Sequence, residues 1–122
     1  METVLLVEDE DIVRSLLRTV LMRQGYTVIA ASHGAAALDM SRAFAGRIDL
    51  LMTDVVMPHM SGDELATKLR DTRPDTRILF MSGSEQQDLG DTPAACAPFI
   101  QKPFTPNTLA QKVRDVLDAT AE

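Results

Sequence analysis

Three carboxylates, one hydroxyl and one amine in this sequence each lie at the end of a short apolar run. Glu8 and Asp9 follow "TVLLV", and Asp54 follows "LLMT". Ser82 ends "RILFMS", and Lys102 follows "FIQ". A carboxylate can act as a nucleophile, carboxylate oxygens bind Mg²⁺, and a hydroxyl and an ammonium group stabilise charge on a phosphoryl group. Together these side chains would form a set suited to phosphoryl transfer.

The apolar runs before these residues have the pattern of strands in a parallel sheet. Each run is continuously apolar and does not alternate with polar residues, as in strands that are covered on both faces. The predicted strands span residues 3–7, 26–31, 49–53, 77–82 and 99–101. In a parallel sheet the strand ends share one edge, where ligands bind. The polar residues are therefore expected to meet at that edge.

Helical periodicity between the strands predicts an α/β fold with helices on both sides of the sheet. Residues 10–24 and 34–45 have helical spacing, and Ser61 with Glu64 forms a capping-box signature for a third helix. The last helix begins at Thr105. The apolar stripe of the first helix consists of Ile12, Val13, Leu16, Leu17, Val20 and Leu21.

One connection departs from this pattern. The stretch from Ser84 to Phe99 contains Gly90, Pro93 and Pro98 and has no helical stripe. We therefore expect the fourth helix of the α/β repeat to be short, irregular or missing.

The acids after the strands have two interpretations. Acidic residues often cap the N-terminus of the next helix, where the helix dipole favours negative charge, and this is the better interpretation of Glu10 and Asp11. Glu8, Asp9 and Asp54 belong to two strands that are expected to lie side by side. Neighbouring carboxylates raise one another's pKa unless a positive charge compensates. Mg²⁺, which prefers oxygen ligands, would provide that charge.

Lys102 also has two interpretations. It is either a plain counter-ion for the acids or a flexible point charge that contacts a phosphoryl oxygen. Each polar residue alone is weak evidence. Their joint position at four strand ends nevertheless favours a phosphoryl-transfer site.

Composition limits the range of functions. The 122 residues suffice for one domain, 1–122. The net charge of −6, from 18 acidic and 12 basic residues, argues against binding of nucleic acid. No apolar run approaches the roughly 20 residues of a membrane helix, and the start does not have the pattern of a signal peptide. Cys96 is the only cysteine, which is compatible with a cytoplasmic location.

The motifs at the strand ends resemble those of a known family. They are "LLVEDE" at 5–10, "MTDVVMPHMSGDEL" at 52–65, "FMSG" at 80–83 and "FIQKPF" at 99–104. With them the sequence resembles, over nearly its whole length, the receiver domain of two-component response regulators. It is most similar to receivers of hybrid sensor histidine kinases. The resemblance implies a flavodoxin-like, doubly wound five-stranded parallel sheet in the order 2-1-3-4-5, flanked by helices.

The resemblance also implies a chemistry for the strand ends. Asp54 would accept a phosphoryl group from a phosphohistidine, and Lys102 would contact that group. Mg²⁺ would be held directly by Asp9 and Asp54, by Glu8 through a water molecule, and by the backbone carbonyl of Val56.

Further residues acquire roles by the same resemblance. Ser82 and Phe99 would form a switch pair that moves on phosphorylation, and the Lys102–Pro103 bond would be cis. In relatives, the side chain two residues after the phosphoacceptor helps to position the water that removes the phosphoryl group. Here that residue is Val56, which cannot hydrogen-bond water, so we expect slow self-dephosphorylation.

The partner implied by the resemblance is a sensor histidine kinase or a histidine phosphotransfer protein. Arg14, Leu17, Arg18 and Leu21 share one side of the first helix and are the candidate docking surface. The alternative is a slightly wide core stripe with solvated arginines. Because the irregular fourth helix lies on a face that many relatives use for dimerisation, we expect a monomer.

The sequence admits three candidate functions from different classes. A phosphorylatable signalling module, which modifies itself but turns over no external substrate, fits best. A pure interaction domain that never receives phosphate would normally lack one of the key groups, and all are present. A Mg²⁺-dependent hydrolase would need a general acid–base residue near Asp54, which the sequence does not offer. The sequence does not distinguish a stand-alone regulator from a domain excised from a hybrid kinase.

Overall fold

The computed structural model describes residues 2–83 and 98–119. Strands and helices alternate along the chain until β4. Their bounds are β1 (Thr3–Val7), α1 (Asp11–Arg23), β2 (Thr27–Ala31), α2 (Gly34–Ala43), β3 (Leu50–Asp54), α3 (Gly62–Thr72), β4 (Arg77–Ser82), β5 (Phe99–Gln101) and α4 (Pro106–Asp118).

The strands form one parallel sheet in the order β2-β1-β3-β4-β5. This confirms the predicted doubly wound, flavodoxin-like sheet. The prediction of a short or missing helix between Ser84 and Phe99 concerns residues outside the described ranges, and so does Cys96. Within the described ranges, no helix is both long and apolar enough to cross a membrane.

The central strands are buried on both faces, as their continuous apolar runs predicted. Along β1, Val4 and Leu6 pack in a cluster with residues of α1 and α4, whereas Leu5 and Val7 pack in a second cluster with residues of α2 and α3. All five residues of β1 and all five of β3 are buried. β1 and β3, whose ends carry the acids, are thus the two strands of the sheet that are buried at every residue.

The prediction that every strand is fully covered is wrong for β2. Thr27 is exposed, and the next three residues are only partly buried. The reason is topological, because β2 is an edge strand with β1 as its single neighbour.

The predicted apolar stripe of α1 is also too wide. Leu17 and Leu21 are buried, but Ile12 is 84% and Leu16 is 61% exposed. At 3.6 residues per turn, Ile12 and Leu17 point about 140° apart, so both cannot face the sheet. One edge of the stripe therefore lies in solvent.

Local capping residues fix where the helices after β3 and β5 begin. The Ser61 side chain accepts a hydrogen bond from the Glu64 N–H at 3.2 Å, and Thr105 does the same for Thr108 at 3.1 Å. These contacts confirm the predicted helix starts. Glu10, which was interpreted as a capping acid, makes no side-chain cap on α1. Its N–H instead donates to Glu8 Oε2 at 3.1 Å.

Gly62 brings the start of α3 against the end of β3. Its N–H donates to the Val55 carbonyl at 2.8 Å. A Cβ atom at this position would lie 2.1 Å from the Asp54 carbonyl oxygen. Only glycine allows this approach, which closes the loop after Asp54 tightly onto the strand.

Candidate functional site

The predicted polar residues do meet at the carboxyl edge of the sheet. One carboxylate oxygen from each of Glu8, Asp9 and Asp54 lies within 4.8 Å of the others. A cavity of about 370 Å³ lies at this edge. Its lining consists of Asp9, Glu10, Asp54, Val56, Ser82, Gly83 and Lys102.

Strand register explains why the acids of two strands are adjacent. Val7 of β1 pairs with Thr53 of β3, so the residues that follow them, Glu8 and Asp54, come side by side. Both are buried, with 0% and 6% of their surface exposed. Asp9 follows Glu8 directly and is exposed at the mouth of the site. The edge therefore presents two buried acids and one accessible acid.

Lys102 bridges the two buried carboxylates. Its Nζ lies 2.6 Å from Glu8 Oε1 and 2.7 Å from Asp54 Oδ1. The backbone N–H of Lys102 donates to the Ser82 carbonyl at 2.7 Å, and the Lys102–Pro103 bond is cis, as expected. The side chain is 25% exposed. Its ammonium group is thus available both to the acids and to a group in the cavity.

Of the two buried carboxylates, Asp54 has fewer hydrogen-bond partners among the described residues than Glu8 has. Its Oδ2 atom is buried and has no hydrogen-bond partner among the described residues. Burial, followed by the nearby Glu8 carboxylate, raises the pKa of Asp54 to about 7, although Lys102 acts in the opposite direction. One positive charge therefore does not fully compensate the two carboxylates.

The shifts of the other two groups have the signs expected of a buried ion pair. Burial raises the pKa of Glu8, but its proximity to Asp54 and its contacts with Lys102 and the Glu10 N–H outweigh burial, so the net pKa is lowered. Burial lowers the pKa of Lys102, but its bonds to Asp54 and Glu8 outweigh it and raise the pKa. Asp54 and Glu8 therefore both keep Lys102 charged.

The residues present fit a divalent cation. The cluster offers three carboxylates with oxygen ligands, and the buried Asp54 Oδ2 atom has no hydrogen-bond partner within residues 2–83 and 98–119. Hard cations such as Mg²⁺ bind this type of ligand and compensate the excess negative charge. Val56, whose carbonyl was predicted as a further ligand, lines the same cavity.

The predicted switch residues lie on neighbouring strands. Ser82 ends β4 and is buried, with 6% of its surface exposed. Phe99 begins β5 and pairs with Phe80. Its ring is partly buried and packs against the core cluster between the sheet, α2 and α3. Ser82 thus lines the cavity, while the Phe99 ring packs against the core.

The predicted docking surface on α1 is wrong in two of its four residues. Leu17 and Leu21 are 4% and 0% exposed and belong to the core, because the side of α1 that carries them faces the sheet. Arg14 is only 22% exposed and is bound within the chain. Arg18 is exposed.

The sequence reasoning missed the exposed apolar pair on α1, Ile12 and Leu16. These residues are four positions apart and therefore share one side of the helix. A stricter helical phase, centred on Leu17 and Leu21, would have identified them as lying off the core. The two histidines, His33 and His59, are both exposed, and His33 caps the N-terminus of α2.

Comparison with known proteins gives a consistent result. Residues 4–114 match the family described as "Response regulator receiver domain". The chain is 42% identical over 118 residues to the sensor kinase CckA of Brucella abortus. That match covers 95% of this chain but only 12% of the kinase.

Solved structures agree with the sequence match. The receiver domain of the hybrid histidine kinase CckA superimposes with a TM-score of 0.80 at 37% identity, covering 95% of this chain and 99% of that one. The response regulator TrrA of Thermotoga maritima, in complex with Mg(2+)-BeF, also gives a TM-score of 0.80, at 30% identity. Coverage is again 95% of this chain and 99% of that one.

The charge imbalance at Asp54 predicts how stability depends on pH. The pKa of Asp54 in the folded protein, about 7, lies above its ordinary value of 3.8. Between pH 3.8 and about pH 7, folding is therefore accompanied by uptake of a proton. The free energy of unfolding consequently falls as the pH rises through this range. Asp54→Asn removes the ionising group. We expect its free energy of unfolding to exceed that of the wild type at about pH 8 by on the order of a few kcal/mol, and to match it near pH 4.

Urea unfolding at a series of pH values, with divalent cations removed by a chelator, measures this difference. Asp75→Asn, at an exposed residue before β4, serves as the control and should show no gain that grows with pH. A wild type as stable as Asp54→Asn at every pH would contradict the argument.

Proposed function

Because the chain belongs to the response regulator receiver domain family of two-component systems, we propose that Asp54 accepts a phosphoryl group from a partner phosphohistidine. The observation that carries this proposal is the buried Asp54 Oδ2 atom, which has no described hydrogen-bond partner. It belongs to a carboxylate that lines the cavity beside Lys102. A carboxylate held in this way is desolvated and oriented, as a nucleophile must be.

In the proposed transfer, an oxygen of the Asp54 carboxylate attacks the phosphorus atom of a phosphohistidine. The new bond is O–P, the bond that breaks is P–N, and the departing imidazole takes up a proton. Lys102, which already contacts Asp54, neutralises charge on the phosphoryl oxygens. Ser82 donates a hydrogen bond to one of them. No external substrate is turned over, because the product is the modified domain itself.

Mg²⁺ is the proposed cofactor, held by Glu8, Asp9, Asp54 and the carbonyl of Val56. The clustering of the three carboxylates supports this assignment. When bound, the cation would neutralise charge on the transferring group. The response regulator TrrA of Thermotoga maritima is in complex with Mg(2+)-BeF, which agrees with the ligand types of this site.

Signal output is proposed to pass through Ser82 and Phe99. Both lie on neighbouring strands, and Phe99 packs only partly into the core. A hydroxyl drawn toward a phosphoryl group on Asp54 would vacate space that an aromatic ring can enter. Since the ring is phenylalanine, turning it inward desolvates no hydroxyl.

The first test is labelling with a small acyl-phosphate donor in the presence of Mg²⁺, followed by intact mass measurement. We expect the wild type to gain one phosphoryl group and Asp54→Asn to gain none. Glu64→Gln, on an exposed part of α3, is the matched control and should be labelled like the wild type. No labelling of the wild type, with beryllofluoride also failing to bind, would favour the pure interaction domain.

The lifetime of the phosphoryl group is proposed to be long because of Val56. This side chain is 78% exposed and lines the cavity next to Asp54. Valine has neither a donor nor an acceptor with which to orient an attacking water. Hydrolysis would therefore proceed without assistance from this position.

Val56→Asn is expected to shorten the lifetime about two- to tenfold, the effect of one hydrogen bond worth about 0.5–1.5 kcal/mol in the transition state. Loss of the phosphoryl group is followed by mass after the donor is removed. His59→Asn is the control in the same loop, because asparagine tolerates its backbone φ of 69°. An unchanged decay rate in Val56→Asn would refute this role.

The partner is proposed to be a sensor histidine kinase or a histidine phosphotransfer protein that docks on α1. In place of the buried Leu17 and Leu21, we assign the docking contact to Ile12 and Leu16. They are the most exposed large apolar residues of α1. An exposed apolar pair on the helix that begins just after Glu8 and Asp9 suits a helical partner that must bring its phosphohistidine to Asp54.

Ile12→Glu and Leu16→Glu are each expected to slow phosphotransfer from a histidine kinase about ten- to a hundredfold, because each removes about 1.5–3 kcal/mol of apolar burial at the interface. The autophosphorylated sensor kinase CckA of Brucella abortus is the first donor to try. Labelling by the small acyl-phosphate donor should remain unchanged. Met22→Glu, 49% exposed on the same helix, is the control, and equal transfer rates for all variants would exclude this surface.

The chain spans 12% of the length of the Brucella abortus kinase that it matches. Whether it acts as a stand-alone regulator or as one part of a hybrid kinase therefore stays open. The single domain over residues 1–122, the monomeric state and the cytoplasmic location also stay predictions.

A further inference from the structure

An arginine of α1 holds the loop that carries the acids of β1. This acid loop comprises residues 8–10. Arg14 Nη1 donates a hydrogen bond to the Glu8 carbonyl oxygen at 2.9 Å. Arg14 Nη2 contacts Asp11 Oδ1 at 2.5 Å. With its side chain only 22% exposed, the guanidinium is directed at the acid loop.

The carbonyl that Arg14 binds belongs to the peptide group between Glu8 and Asp9. A peptide group is planar, so fixing this oxygen also fixes the backbone from which the Asp9 side chain projects. Glu8 has further anchors in Lys102 and the Glu10 N–H. Within residues 2–83 and 98–119, the exposed Asp9 carboxylate makes no hydrogen bond or ion pair of its own. Its position therefore depends on the loop backbone.

We infer that Arg14 is a positioning residue that holds Asp9 in place for the cation, a role that rests on the cation site of the proposed function. The charge of the guanidinium acts in the opposite direction, because a cation near three carboxylates weakens the binding of Mg²⁺. The contact with Asp11 reduces that repulsion. Any gain in Mg²⁺ affinity from Arg14 must therefore come from geometry. Replacing Arg14 weakens Mg²⁺ binding if its geometric effect dominates and strengthens it if its charge dominates.

Calorimetric titration with Mg²⁺ alone tests the inference. Arg14→Met keeps the aliphatic stem but removes both hydrogen bonds and the charge, and we expect it to bind Mg²⁺ about tenfold more weakly than the wild type. Arg14→Lys keeps the charge without the fork of donors and should also bind more weakly. Arg23→Met, which makes the same change at the exposed far end of α1, is the control and should not bind more weakly.

A double-mutant cycle with Asp9→Asn identifies the residue through which Arg14 acts. If Arg14 positions Asp9, then Arg14→Met lowers the Mg²⁺ affinity far less in the Asp9→Asn background than in the wild type. Full additivity of the two losses would contradict the inference. Urea unfolding of each variant separates this result from a general loss of stability.

Amide hydrogen exchange without divalent cations separates the inference from the cation proposal. We expect faster exchange at the Glu10 amide in Arg14→Met, because the loop that orients its acceptor is released. Faster exchange in a protein that binds no Mg²⁺ would support the loop contact but overturn the proposed cation site and, with it, the role toward Asp9. Unchanged exchange with equal or tighter Mg²⁺ binding in Arg14→Met would overturn the inference and leave the cation site intact.

Discussion

The sharing of one ammonium group between two buried carboxylates is the constraint on which the site depends. Lys102 lies within 2.7 Å of both Glu8 and Asp54, and neither acid has more than 6% of its surface exposed. One positive charge cannot compensate two negative ones, and the exposed Asp9 adds a third at the same edge. Burial of unpaired charge costs free energy, so this arrangement favours the binding of a positively charged group.

The fold is what keeps this unfavourable group of charges together. β1 and β3 are central strands, buried on both faces and paired in a register that brings Glu8 beside Asp54. Two apolar clusters hold the strands from opposite sides, and Gly62 fixes the end of β3 against α3. Because the surrounding packing over-determines their positions, the carboxylates cannot relax into solvent.

The sequence predicted the parts of this arrangement that depend on strand ends. Continuous apolar runs identified the strands, and a parallel sheet necessarily collects the following residues at one edge. The orientation of α1 was harder to predict, because six apolar residues span more than one face and only packing selects Leu17 and Leu21 over Ile12 and Leu16. The hydrogen bond from Arg14 to the Glu8 backbone carbonyl could not be predicted either, because it depends on the conformation of the Arg14 side chain and not on residue spacing.

A phosphoryl group on Asp54 would change the competition for Lys102. It would replace the carboxylate charge with about −1.5 to −2 on strong acceptor oxygens, in a site that already has an excess of negative charge. Since Lys102 contacts Glu8 and Asp54 at nearly the same distance, the stronger acceptor would draw its ammonium group away from Glu8. Glu8 would then need another positive partner, and a cation held with Asp9 is the one that its surroundings admit. Phosphorylation should therefore raise the affinity for the cation, and a bound cation should stabilise the phosphorylated state. The reason is that the positive charge of the cation neutralises the negative charge of the phosphoryl group.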